Sequence, residues 1–230
     1  MIFHRLTPLH GWRAFWGEVG IIVLGVLIAL GAQQVVESVN WRHEVAGFRD
    51  AVRDEMGENL DSYPYRAKQK ACIKARLDEL QHWLNAWRGG RGFTLTGPIG
   101  IPASRVIRTS VWDSTDPVTL AHLPRDERIE YSFLYSEFSN NEVHRLDERE
   151  AWIELASFDG ATMLDHQDQM RLQGLISRAR LRDERIDNNA DRFLKRAAKK
   201  SNLYPKPIGD PPTYDPRLCV PILPVGQRAL

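Results

Sequence analysis

Seven histidines, two cysteines and 30 acidic residues are the side chains with which this 230-residue chain could do acid–base, nucleophilic or metal chemistry. The histidines are His4, His10, His43, His82, His122, His144 and His166. No two are four apart, so no helix presents a two-histidine metal face. His166 lies between Asp165 and Asp168. The three could start a metal site, but a further ligand would be needed. The simpler reading is a helix start, where carboxylates favour the positive end of the helix dipole. Lys70 and Lys74 flank Cys72, and neighbouring cations lower a thiol's pKa, but no histidine partner is evident for a nucleophile–base pair. The glycine-rich "RGGRG" at 88–92 lacks the Lys-Ser/Thr of a phosphate loop, and no GxSxG elbow is present. The expectation is therefore no enzyme, no cofactor and no metal.

The cysteines suit a structural use better. Two are too few for a zinc ribbon. On the outer side of a membrane both would meet an oxidising compartment. A Cys72–Cys219 bond would then pin the chain's end to its first long helical region, adding about 4–5 kcal/mol in the chain-entropy view of so long a loop. The alternative is one cysteine buried in the core and one incidental.

Both readings depend on "GEVGIIVLGVLIALGAQQVVE", 17–37. Residues Val19 to Val36 carry no charge. At about 1.5 Å per residue they reach roughly 27 Å, close to the roughly 30 Å hydrocarbon core of a bilayer. Trp12 and Trp16 precede the run and Trp41 follows it, as at two membrane interfaces. A cleaved signal peptide competes with a retained anchor, because Ala29-Leu30-Gly31 is a small-x-small triplet. Glu18 before the run, and apolar character continuing through Val39, favour retention. Arg5 and Arg13 lead the segment and Arg42 and Arg49 follow it. That tie is broken towards a cytoplasmic N-terminus by the free amine and the short leader. Gly25, Ala29 and Ala32 share a helix face and could let a second copy approach closely; small residues are also simply common in such helices.

Beyond the run the organisation is helical, and the fold class expected is all-α. Apolar residues step by three and four from Trp41 through Val45, Phe48, Val52, Met56 and Leu60 to Tyr63, continuing the membrane helix until Pro64 ends or kinks it. The step resumes at Ile73, Leu77, Leu80, Leu84 and Trp87. After an extended "FTLTGPIGIP", helices are expected over 103–114, between Pro117 and Pro124, from Pro124 through Leu155, and over 162–200. The last stripe runs Leu172, Leu175, Ala179, Ile186, Ala190, Phe193, Ala197, and turns polar near Arg182 and Asp183. Four antiparallel passes make an elongated bundle. The final 28 residues hold seven of the 13 prolines and are expected to run extended along the surface. The resulting division is a cytoplasmic tail (1–18), a transmembrane helix (19–36), a helical bundle domain (37–202) and a proline-rich tail (203–230).

The stretches "WRAFWGEVGIIVLGVLIALGAQQVVESVNWR" and "FRDAVRDEMGENL" resemble the start of a widespread family of bacterial proteins of unknown function. The resemblance is carried by Glu18, Gly25 to Leu30, Trp41 and Glu58-Asn59-Leu60, and covers about the first 60 residues. It implies a single-span inner-membrane protein with a helical periplasmic domain, and no activity.

Net charge is +1, without the basic excess that nucleic acid requires. Arg192, Lys195, Arg196, Lys199, Lys200 and Lys206 cluster late, where a helix C-terminus favours cations or anionic lipid attracts them. The partners expected are the bilayer and a protein, either another chain or a second copy. The leading function is a non-enzymatic, membrane-anchored scaffold. The alternative is a ligand sensor signalling through a partner, with Trp112, Tyr131, Tyr135 and Trp152 lining a pocket between helices; the same four aromatics also suit ordinary core packing.

Overall fold

A 49-residue helix, α1 (Trp12–Leu60), opens the computed structural model, which describes residues 12–207 and 216–227. No proline interrupts it, and its two halves meet different surroundings. The first is bare: Ile21 is 74% exposed and Leu27 60%, and the helix is long and apolar enough to cross a membrane. The second half buries Val45, Phe48, Val52, Met56 and Leu60, the three-and-four step read from the sequence. The fold is all-α; no strand occurs among the described residues.

As expected of Pro64, α1 ends at Leu60, four residues before it, but the chain does not reverse there. The proline sits in the first turn of a short α2 (Ser62–Ala67), where its missing N–H costs no hydrogen bond. After α3 (Lys70–Arg88), the chain returns in extended form. Trp83 Nε1 donates to the Phe93 carbonyl at 2.6 Å, Arg76 Nη1 to that of Pro98 at 2.8 Å, and Gln69 Nε2 to that of Ala103 at 3.0 Å. The partners step backwards from 83 to 69 as the chain advances from 93 to 103.

A helix over 103–114 is expected from the sequence. Only α4 (Ser110–Ser114) forms there. Two buried amide side chains hold the preceding residues extended. Gln69 bonds both the N–H and the carbonyl of Ala103, and Asn59 does the same for Arg108. Each amide mimics a neighbouring strand, and four backbone groups that a helix would use are already satisfied.

Asp116 caps α5 (Pro117–Ala121) through the N–H of Val118. Then come α6 (Arg125–Ala156) and α7 (His166–Ser201). Helix α7 starts at His166 and not Thr162 because Asp165 and Asp168 form a capping box. The passes do not alternate in direction. Helix α6 runs alongside α1 and α2: Arg49 meets Glu127, Tyr135 meets Glu55 and Asn141 meets Tyr63. Helix α7 runs against both α6 and α3, pairing Arg196 with Glu130, Arg178 with Asp147, Lys70 with Asp187 and Arg180 with Asp78. So α1, α3 and α6 point one way and α7 alone returns, because α2 stacks α3 onto the end of α1 where a hairpin would have folded it back.

The apolar residues form two clusters. A near core joins Phe48, Val52, Met56, Leu134, Phe138 and Phe193; a far core joins Leu77, Trp83, Trp152, Leu172, Ile176 and Leu218. The C-terminal tail is not confined to the surface. Its described part holds two 3-10 turns, Pro216–Cys219 and Val225–Gln227, and buries Leu218, Ile222 and Leu223 in the far core.

Candidate functional site

Between the two cores, at the α2 junction, lies a buried polar layer. Arg66 is 8% exposed, Glu148 3% and Asp183 8%. The Arg66 Nη2 donates to Glu148 and, at 2.8 Å, to Asp183. Burial raises both carboxyls above the usual carboxylate range, and the Arg66 charge opposes that shift. Beside them Arg105 pairs with Asp61 at 2.9 Å and lies 4.8 Å from the Tyr65 ring centre. Asn141 donates to the Tyr63 hydroxyl at 2.6 Å. A cavity of about 50 Å³ opens among Tyr63, Arg66, Arg105, Asn141, Arg145 and Glu148. It has room for a few waters, whereas small-molecule sites begin at roughly 300 Å³. The layer's carboxylates are bonded to arginines. Its chemistry is charge neutralisation at the joint between two cores, and it joins α2, α6 and α7 in one register.

A second cluster holds the tail. Cys72 and Cys219 form a disulfide, with Cα atoms 4.7 Å apart. One turn on, Arg76 is 1% exposed. Its guanidinium donates to the carbonyls of Pro98 and Ile99 and to those of Arg217, Leu218 and Val220. Glu79 pairs with Arg76 Nε at 3.1 Å and accepts the Ile222 N–H at 3.1 Å. A buried cation thus gathers carbonyl oxygens from the return segment and the tail.

The other residues singled out in the sequence fall as follows. His4 and His10 lie outside the described residues. Asp165 and Asp168 bond each other's backbone N–H as a helix cap, and no group of metal-ligating side chains occurs among the described residues. Gly25, Ala29 and Ala32 lie on the bare half of α1, with nothing within 4 Å of a Cβ placed on Gly25. The four aromatics do not converge on one pocket. Trp112 stacks on Tyr135 at 5.3 Å, Tyr135 donates to Glu55 at 2.9 Å and Tyr131 to Glu127 at 2.9 Å, all at the near core. Trp152 belongs to the far core, with no exposed surface. In the late basic cluster, Arg196 pairs with Glu130 and covers the Phe133 ring, Lys195 pairs with Asp191 and Lys206 with Asp54.

Sequence reasoning missed Arg66, Glu148 and Arg76. Two signals were present. Asp183 interrupts the stripe of α7, and Glu148 sits three and four residues before the buried pair Ala151 and Trp152 of α6. A polar residue on each of two facing apolar seams requires a buried partner. Arg76 likewise falls inside the seam between Ile73 and Leu77. Comparison of the chain with protein-family models, curated proteins and solved structures gave no match.

Proposed function

We propose that the chain is a single-span protein of the bacterial inner membrane, with its N-terminus in the cytoplasm, whose periplasmic helical domain holds a protein partner and carries out no reaction. The observation that supports this most is α1 itself. Its bare apolar half and its core-building half are one unbroken helix, so the anchor and the domain move together. A domain built this way is fixed in height and tilt above the bilayer, as a scaffold requires. The Cys72–Cys219 bond suits an oxidising compartment. The resemblance of the first 60 residues to a single-span family points the same way. The four aromatics expected to line a sensor pocket lie in two different cores, which favours the scaffold reading, and the layer's carboxylates are held by arginines and not presented to a substrate. The exposed small face at Gly25, Ala29 and Ala32 makes a second copy one candidate partner.

The test is C-terminal topology, with one reporter active only outside the cytoplasm and one active only inside, together with the mass of the mature protein. An active outer reporter at full-length mass is the expected result. A shortened protein would make the segment a signal peptide, and an active inner reporter would overturn the localisation.

A further inference from the structure

Helix α6 buries residues in both cores and turns a line of small and apolar residues to solvent. The exposed line starts at Ile129, Ser132, Ser136 and Ser139, and continues at Val143, Leu146, Glu150 and Ile153. Its steps alternate between three and four residues throughout. A line of that period stays on one side of a helix that wraps round another in a left-handed coil. Ile129, Val143, Leu146 and Ile153 are each more than half exposed. The solvent face of a helix ordinarily carries charge, but this line has none before Glu150.

Several charges of α6 lie beside the line and are already paired. Glu130 bonds to Arg196, Glu142 to Arg145, and Asp147 to Arg178 and Arg182. Arg149 differs: it is exposed and enters no ion pair among the described residues. The direction of α6 follows α1. Glu127, Tyr135 and Asn141 meet Arg49, Glu55 and Tyr63, at separations of 78, 80 and 78 residues. The two helices therefore rise together with almost no slip. Two chains anchored by α1 in one bilayer hold their α6 helices parallel and at equal height, so identical residues of the two lines can face each other.

We propose that this line is a self-association seam, at which α6 packs against α6 of a second copy as a parallel pair in register. The proposal rests on the membrane-spanning reading of α1 and names the partner of that scaffold. Val143, Leu146 and Ile153 leave water against their own counterparts, and the three serines let the backbones approach closely nearer the membrane. Charge favours this partner. Beside a parallel seam, a flanking residue faces the partner's flanking residue five positions further on. Arg149 then meets the partner's Glu154 and flanks the partner's Glu150, which offsets the repulsion between the two Glu150 side chains. Glu142 meets the partner's Asp147, and both are neutralised by arginines of their own chain.

The test is oxidative crosslinking of the full-length chain in native membranes. Cys72 and Cys219 are bonded to each other, so an introduced cysteine reports alone. Ser136→Cys and Val143→Cys should each give a covalent dimer, and Ser177→Cys, at an exposed position of α7, should not. An antiparallel or slipped pair cannot bring both α6 positions onto their own counterparts, so a crosslink at one alone, or at neither, overturns the seam. Ala29→Cys crosslinking in their place would move the pairing to the membrane helix and overturn it equally. Val143→Lys should weaken self-association of the detergent-solubilised chain about tenfold, the effect of roughly 1.4 kcal/mol, with helicity unchanged because that side chain is already exposed. Arg149→Glu should also weaken it. Association that is insensitive to both substitutions would overturn the seam. Membrane fractionation separates the two claims. A chain found in membranes that does not pair through α6 loses the seam and keeps the anchor, and a chain found free of membranes loses both.

Discussion

Arg76 lies one helical turn beyond Cys72, and its guanidinium donates to the carbonyls of Leu218 and Val220, the residues on either side of Cys219. A covalent bond and a buried cation therefore hold the same three tail residues against α3. Arg76→Met would leave those carbonyls, with those of Pro98 and Ile99 and the Glu79 carboxylate, short of a donor. The expected cost is about 3–5 kcal/mol, the range for removing one partner of a buried charge cluster. Cys219→Ser should cost up to about 5 kcal/mol if the constraint acts through the unfolded chain. Because the two clasps share the tail, the double variant should lose less than the sum. Urea unfolding of the detergent-solubilised chain measures all three. An additive double variant would show that the clasps act independently.

The same clasp makes a demand on Gly100. Its φ is +75°, and a Cβ there would lie 3.2 Å from the Leu218 Cα. Gly100→Ala meets backbone strain and a backbone neighbour that cannot rotate away. The expected loss is about 1–3 kcal/mol, with faster proteolysis after Arg217. Gly90 also has a positive φ, +70°, but open space around it, so Gly90→Ala should show the strain without the proteolysis. Equal proteolysis of the two variants would remove Leu218 from the explanation.

Much of this fold was readable locally. The stripe from Val45 to Leu60 and the stripe of α7 are strong three-and-four periods, so the helices that carry them were readable from the chain alone. What escaped was non-local. Residues 103–109 have helix-compatible side chains, yet Gln69 and Asn59 hold them extended from more than 30 residues away. Periodicity shows which face of α6 is buried but not in which core, so it does not separate Trp152 from Tyr131 and Tyr135. Pro64 marks an end or a kink, and neither shows that α3 continues in the direction of α1. The polar layer was half visible: the break at Asp183 was apparent, but its partner Arg66 lies 117 residues earlier.

The layer carries a pH prediction. Burial raises Glu148 and Asp183. A carboxyl whose folded pKa is raised contributes stability that is complete below its ordinary value and lost as pH rises through the folded value. Glu127 and Asp147 act oppositely. Their hydrogen bonds to Arg49 and to Arg178 depress them, so their contribution is present at neutral pH and fades as pH falls. Arg66→Met removes the charge that opposes the rise of Glu148 and Asp183. The variant should be about 3–5 kcal/mol less stable at neutral pH, and the gap from the native chain should close as acid protonates the two carboxyls. Urea midpoints of both proteins at a series of pH values test this. A gap that stays constant down to the acid limit would mean that Arg66 acts through packing alone.

At the alkaline end the near core should respond through its tyrosines. Burial, then a hydrogen bond to Glu127, pushes Tyr131 up to about 12. Tyr135 is raised further by burial and by its bond to Glu55, and burial also raises Tyr63. A tyrosine raised in the folded state stabilises fully below its ordinary pKa of about 10, and that stability is lost as pH rises above it. The three should therefore release their protons together with loss of helicity and not before it, which parallel ultraviolet absorbance and circular dichroism titrations would show. Tyr135→Phe removes one hydrogen bond, while Ser110 and the Val111 N–H still satisfy Glu55. It should cost about 1 kcal/mol at neutral pH and flatten the alkaline decline, because one fewer group then favours the unfolded chain. A tyrosinate signal that rises well before helicity falls would place these hydroxyls in contact with water and remove Tyr135 from the near core.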